Sequence, residues 1–148
     1  MSFQGSAGYA GDITVENAYK LLADDRKAVL VDVRTQPEWT FVGVPDLTAV
    51  DKAPIFQEWQ AYPEMRVVTD FAPRLSAALE TRAADRATPV LFLCRSGARS
   101  RAAALALTAA GWSRCYNIAD GFEGVPDETR KRGVVGGWKA RGLPWTQS

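Results

Sequence analysis

Two hydrophobic patterns alternate along the chain: short unbroken apolar runs, and longer stretches in which apolar residues return every three or four positions. Residues 90–93 (Val-Leu-Phe-Leu) are of the first kind, and so, but for Asp32, are residues 28–33 (Ala-Val-Leu-Val-Asp-Val), the pattern of strands covered on both faces. Residues 15–23 are of the second, with Ala18, Leu21 and Leu22 on one face behind a capping Thr14. So are residues 71–84, which Asp70 can cap and whose first turn tolerates Pro73. The alanine-rich stretch after Arg99 is a strong helix former, ended by Gly111. A short helix over 54–62 carrying Trp59, a turn and weak strand over 42–50, a strand near 114–118 and a last helical turn around Trp138 complete the prediction. Residues 1–11 are rich in Gly, Ser and Ala and read as a flexible tail, leaving 12–148 as a single domain. Strands alternating with helices predict an α/β fold with a mainly parallel central sheet and helices on both faces.

The most informative junction lies between the second apolar run and the alanine-rich helix. There the sequence reads Cys94-Arg95-Ser96-Gly97-Ala98-Arg99-Ser100. A Gly-bearing turn rich in Ser and Arg is poor core material and good anion-binding material. It places Cys94 where a strand's carboxyl end meets a helix amino terminus, among free N–H groups and the positive end of the helix dipole. Those features and the neighbouring arginines favour a thiolate, so Cys94 is the expected nucleophile.

Composition narrows the chemistry. With 47% hydrophobic residues, the 148-residue chain can bury a sizeable core. A net charge of +1 gives no electrostatic footprint for nucleic acid or acidic lipid. No apolar run approaches membrane-spanning length and no secretory pattern opens the chain. Two cysteines are too few for a disulfide scaffold, which fits a reducing, cytoplasmic setting. There is no histidine, which removes Cys–His and Ser–His–Asp nucleophile pairs and His-containing zinc sites. No metal or organic cofactor is implied.

Three stretches in order resemble the rhodanese-like sulfurtransferases. Cys94-Arg95-Ser96-Gly97-Ala98-Arg99 is similar to the loop whose cysteine carries a persulfide in that family. Val31-Asp32-Val33-Arg34 with Glu38-Trp39 resembles its Asp-Val-Arg…Glu-aromatic signature. Asn117-Ile118 through Asp120-Gly121-Phe122, then Gly137-Trp138 and Gly142-Leu143-Pro144-Trp145, resembles its closing segment. The resemblance implies a thiosulfate-type sulfurtransferase that passes sulfane sulfur from a small donor to a thiol, cyanide or protein acceptor through Cys94, with residues Arg95, Ser96, Gly97, Ala98, Arg99 and Ser100 forming the binding loop. The lack of histidine agrees with this chemistry, since attack on a sulfane sulfur needs only a thiolate and a leaving group.

Two other functions share these features. One is a persulfide carrier or partner-binding module without turnover. The other is a cysteine-dependent phosphatase or arsenate reductase, whose loop has five residues between Cys and Arg where this chain has four, Arg95 to Ala98. Each residue adds up to about 3.5 Å of contour, so the shorter ring is too tight for a tetrahedral phosphate. The resemblance implies that Arg34 and Glu38 hold structure around the loop, with an ordinary surface pair four residues apart as the alternative. Asp32 either supports the loop by accepting backbone N–H bonds or is a strand-terminal turn residue. Arg95 is the expected substrate contact and Arg99 either an anion contact or half of a buried pair. Cys115, at the start of a neighbouring strand, reads as a packed residue, with a resolving thiol as the alternative. The chain departs from the family in having Phe41-Val42-Gly43-Val44-Pro45-Asp46 where a His-bearing turn is common. It also departs at residues 123–135, an intervening segment expected to flank the Cys94 pocket.

Overall fold

Hydrophobic alternation in the two apolar runs decides how the layers assemble. The computed structural model describes residues 8–148. Its central sheet contains β1 (Gly11–Ile13), β2 (Val29–Asp32), β4 (Ile55–Phe56), β7 (Val90–Leu93) and β8 (Cys115–Ile118). The strands lie in the order β1-β8-β7-β2-β4 and every neighbouring pair is parallel. Along a strand successive side chains face opposite ways. Val29, Val31, Val90 and Phe92 therefore pack with α3 (Phe71–Thr81) and α4 (Ala98–Ala109). Leu30, Leu91 and Leu93 pack on the other face with Val15, Ala18 and Leu22 of α1 (Val15–Asp24). Both faces are thus covered, as the unbroken runs require.

Thr14 caps α1 by accepting the Asn17 N–H at 3.1 Å. The helix expected over 71–84 stops at Thr81, and Ala83 beyond it has φ +63°. Asp70 occupies its N-cap position without a side-chain capping bond.

The stretch over 54–62 corrects the expected helix. Ile55 is buried and Phe56 exposed, a period of two rather than 3.6, and β4 joins the sheet edge by pairing with Val31 and Asp32. Residues 60–67 then form a hairpin of β5 (Gln60–Ala61) and β6 (Arg66–Val67). The Trp59 ring rests edge-on against Phe71 at 5.0 Å. The weak strand over 42–50 becomes β3 (Val44–Pro45), paired antiparallel with β9 (Trp145–Thr146), and a 3-10 turn at Thr48–Val50. β9 was not foreseen. Around Trp138 the chain makes a single turn, closed by the Arg141 N–H on the Gly137 carbonyl at 3.0 Å, without an α-helix.

Of the expected flexible tail, residues 1–7 lie outside the described residues. Residues 8–11 do not fit that expectation: Tyr9 and Ala10 are buried and Gly11 opens β1. The Ala10 N–H donates to the Cys115 carbonyl at 2.9 Å, so main-chain pairing overrides the loose composition. Among the described residues, no helix is long and apolar enough to cross a membrane.

Candidate active site

Cys94 follows β7 directly, at the carboxyl edge where open parallel sheets place ligands. Its sulfur is buried, with the residue 1% exposed. The loop after it turns sharply through Gly97, whose φ of +112° lies in a region L side chains rarely adopt. That conformation directs the Gly97 N–H at the Cys94 sulfur at 3.1 Å and opens α4 immediately afterwards. The Ser100 hydroxyl, in the first turn of α4, lies 3.2 Å from the same sulfur.

The closing segment holds the loop from behind. The Phe122 N–H donates to the Cys94 carbonyl at 2.8 Å and the Glu123 N–H to the Arg95 carbonyl at 3.0 Å. A Cβ at Gly121 would lie against the Arg95 carbonyl and within 2.7 Å of the Ser96 nitrogen. A side chain there would push the two segments apart.

The predicted site residues divide by role. Gly97 and Ser100 are buried beside the sulfur, Ser96 and Arg99 are half-buried, and Arg95 and Ala98 are exposed. Arg99 forms a two-pronged pair with Glu38, at 2.7 and 3.0 Å. Glu38 belongs to α2 (Gln36–Phe41) and also accepts the Thr35 N–H at 3.1 Å and the Thr35 hydroxyl at 2.9 Å. Arg99 thus stays beside the loop but spends its fork on Glu38.

Arg34 and Glu38 do not form the alternative surface pair. Arg34 is fully buried and turns to Asp32, at 2.7 Å from Nη2 to Oδ2 and 3.0 Å from Nε to Oδ1. Its Nη2 also donates to the Gly43 carbonyl at 2.8 Å, and its guanidinium stacks 4.2 Å from the Phe122 ring. Asp32 accepts the Arg34 N–H at 3.1 Å rather than N–H groups of the Cys94 loop. Burial inside the strand end makes the nearer carboxylate the better partner, since two desolvated charges must meet at short range.

A pocket of about 490 Å³ opens at the loop, lined by Glu38, Val42, Gln60, Met65, Arg95, Arg99 and Glu123. Residues 123–135 reach it through Glu123. The rest of that segment is a self-closed turn, in which Asp127 Oδ1 accepts the Thr129 and Lys131 N–H groups at 2.8 and 2.9 Å. A larger cavity, about 600 Å³, lies at the opposite edge of the sheet beside Arg26, Lys27, Lys52 and Arg82. There the Lys52 ammonium already serves main-chain carbonyls, among them Asp25 at 2.7 Å. The 490 Å³ pocket is the one bordered by the Cys94 loop, through Arg95 and Arg99. No group of three or more metal-ligating side chains is placed to hold a metal ion among the described residues.

Cys115 does not meet Cys94. It pairs in register with Val90 at the start of β7, about 13 Å down the strand by the usual rise per residue and beyond the reach of a disulfide. Burial pushes its thiol up to about 11, the opposite of a resolving nucleophile.

The sequence reading missed a polar chain behind the sulfur. Ser100 donates to Asn117 Oδ1 at 2.6 Å, Asn117 Nδ2 donates to Asp12 Oδ1 at 3.1 Å, and the Tyr9 hydroxyl donates to the same oxygen at 2.7 Å. The one available signal was Asn117 standing inside a strand that otherwise reads as apolar.

Glu38 has a pH consequence. Burial raises its carboxyl, but the Arg99 hydrogen bonds and charge, with the Thr35 contacts, outweigh burial and hold it below the usual carboxylate range. A carboxyl lowered on folding contributes stability above its unfolded value, lost as the pH falls through the folded value. Unfolding midpoints in denaturant should therefore decline as the pH drops below about 4.3. The decline should be shallower in Glu38→Gln; a variant as acid-sensitive as the parent would contradict this role.

The comparisons with known proteins agree along the length of the chain. The family model of the STR4 middle domain matches residues 10–148. An uncharacterized protein of Rickettsia conorii is 38% identical over 135 residues, spanning 90% of this chain and 95% of that protein. A homologue in Rickettsia prowazekii, also uncharacterized, is 37% identical over 134 residues with the same coverage. The crystal structure of Rv0390 from M. tuberculosis superposes with a TM-score of 0.81 at 45% identity, covering 95% of this chain and 99% of that one. The solution structure of the polysulfide-sulfur transferase homodimer from Wolinella succinogenes shares the fold, with a TM-score of 0.56 at 23% identity over 92% of this chain and 77% of its own.

Proposed function

The chain belongs to the rhodanese-like domain family, and from that premise we propose that it is a thiosulfate-type sulfurtransferase in which Cys94 carries the sulfur. The observation that supports this most directly is the Cys94 sulfur beside the amino terminus of α4, accepting the Gly97 N–H at 3.1 Å, next to a pocket bordered by Arg95 and Arg99.

In this reading the Cys94 thiol gives its proton to solvent and the thiolate attacks the outer sulfur of thiosulfate. A new S–S bond forms as the old one breaks, and sulfite leaves with the bonding pair. The Cys94 persulfide carries its charge on the terminal sulfur, which the N–H groups of the 95–100 loop are suited to hold. Arg95, exposed at the pocket rim, attracts the anionic donor. A thiolate or cyanide then takes the terminal sulfur and returns the electron pair to Cys94. A protein thiol is an equally suitable acceptor. Four residues between Cys94 and Arg99 make a ring sized for one sulfur rather than for phosphate.

The test is intact mass after incubation with thiosulfate and then with a thiol. The expected result is the gain of one sulfur, reversed by the thiol, and absent from Cys94→Ser. If sulfane donors of several kinds leave the mass unchanged, sulfur transfer is excluded. If the sulfur loads but only a protein acceptor removes it, the chain is a carrier instead.

A further inference from the structure

The chain from Cys94 to Tyr9 has a direction that follows from which groups can donate. Asp12 stands in register with Asn117, β1 beside β8. Its carboxylate can only accept, so Asn117 must present its NH2 group there, at 3.1 Å. The Asn117 oxygen is thereby turned toward Ser100 and can only accept. At 2.6 Å the Ser100 hydroxyl must donate to it. A hydroxyl has one proton, so what Ser100 offers the Cys94 sulfur 3.2 Å away is a lone pair. Ser100 and Asn117 are 0% and 3% exposed, so water cannot readily substitute in the arrangement.

We propose that Asp12 is a positioning residue for Cys94: by fixing the Asn117 amide it points the Ser100 proton away from the sulfur. The arrangement suits a Cys94 that holds its own proton, donated into the Ser100 lone pair. A thiolate at the same place faces that lone pair, and Ser100 can turn its proton to the sulfur only by giving up its bond to Asn117. Asp12 thus restrains the resting thiolate, and the Gly97 N–H favours it. The Tyr9 hydroxyl, donating to the same Asp12 oxygen at 2.7 Å, steadies the carboxylate. The significance of this restraint rests on the sulfur-transfer reading, in which an idle thiolate would be open to side reactions.

The charged groups around the sulfur come from every neighbouring element. They are Asp32 at the end of β2 and Arg34 after it, Glu38 on α2, Arg95, Arg99 and Arg101 on the loop and α4, and Asp120 and Glu123 on the closing segment. All remain in the variants below.

The experiment follows thiolate absorbance in the ultraviolet against pH, taken as the difference between each protein and its Cys94→Ser counterpart. Asp12→Asn is nearly isosteric and lets the Asn117 amide turn over, freeing the Ser100 proton for the sulfur. The half-point should move to lower pH by about one unit, a tenfold rise in the thiolate fraction below it. Asp12→Glu keeps an acceptor-only group and should stay with the parent. In a Ser100→Ala background the same Asp12→Asn change should do nothing. A parental half-point in Asp12→Asn overturns the proposal. So does a shift that persists without the Ser100 hydroxyl, since that would be the bare loss of a negative charge. No sulfur donor is present, so these outcomes are independent of whether Cys94 can be loaded.

Discussion

Gly97→Ala is expected to reduce the sulfur loading of Cys94 by about 100-fold, the scale of loss when a reacting group is displaced by about an ångström. Gly97 carries two constraints at once. Its φ of +112° is disfavoured for any residue with a Cβ, by about 1–2 kcal/mol. The added methyl would also lie on the Ala119 carbonyl at the end of β8, and backbone so placed cannot yield as a flexible side chain would. The loop has to move outward, and with it goes the N–H that reaches the Cys94 sulfur at 3.1 Å. Loading by thiosulfate, followed by intact mass over time, measures the effect, and a denaturant titration separates it from unfolding. Loading at the parental rate in a folded variant would show that this N–H contributes nothing.

Arg34→Met should lower the stability of the fold by about 3–5 kcal/mol, the cost of leaving a buried charge without its partner. Asp32 and Arg34 are both fully buried. With the guanidinium gone, the buried carboxylate keeps the residue-34 N–H at 3.1 Å but loses its counter-charge. The Gly43 carbonyl loses its donor at 2.8 Å as well, which loosens the turn between α2 and β3. The companion test is the double variant Asp32→Leu with Arg34→Met. Removing both charges is far less costly than removing one, so the double variant should recover most of the loss. If the single change costs under about 1 kcal/mol, or if the two changes simply add, the pair does not hold the strand end as described.

The two central strands were legible because each carries a short apolar run with no helical spacing, and burial on both faces is what such a run demands. The position of the Cys94 loop followed from them, since a strand's carboxyl end and a helix's amino terminus fix one another. The two-residue strands were not legible. β3, β4, β5, β6 and β9 are too short to carry a period; β3 and β9 exist through partners far along the chain, as Val44 does with Thr146, and β5 and β6 through a hairpin. The ion pairs failed for a related reason. Spacing offered only Arg34 with Glu38 as an alternative surface pair, whereas the fold buries Arg34 against Asp32 and brings Arg99 across 61 positions to Glu38. Asp12, Asn117 and Ser100 meet only once the strand register is set, so the sequence could mark Ser100 and Asn117 singly but not their connection to Asp12.

The clamp behind the Cys94 loop also bears on the order in which a ribosome delivers the chain. Cys94 and Arg95 are synthesised before Phe122 and Glu123, whose N–H groups hold their carbonyls at 2.8 and 3.0 Å. Three sheet strands, β2, β4 and β7, can already be paired at that stage, yet the thiol has no cradle. The glycine contacts at residues 97 and 121 close only when β8 and the residues after it arrive. For much of its synthesis a nascent chain therefore carries Cys94 without the main-chain hydrogen bonds that fix its loop, which come only with the last part of the fold.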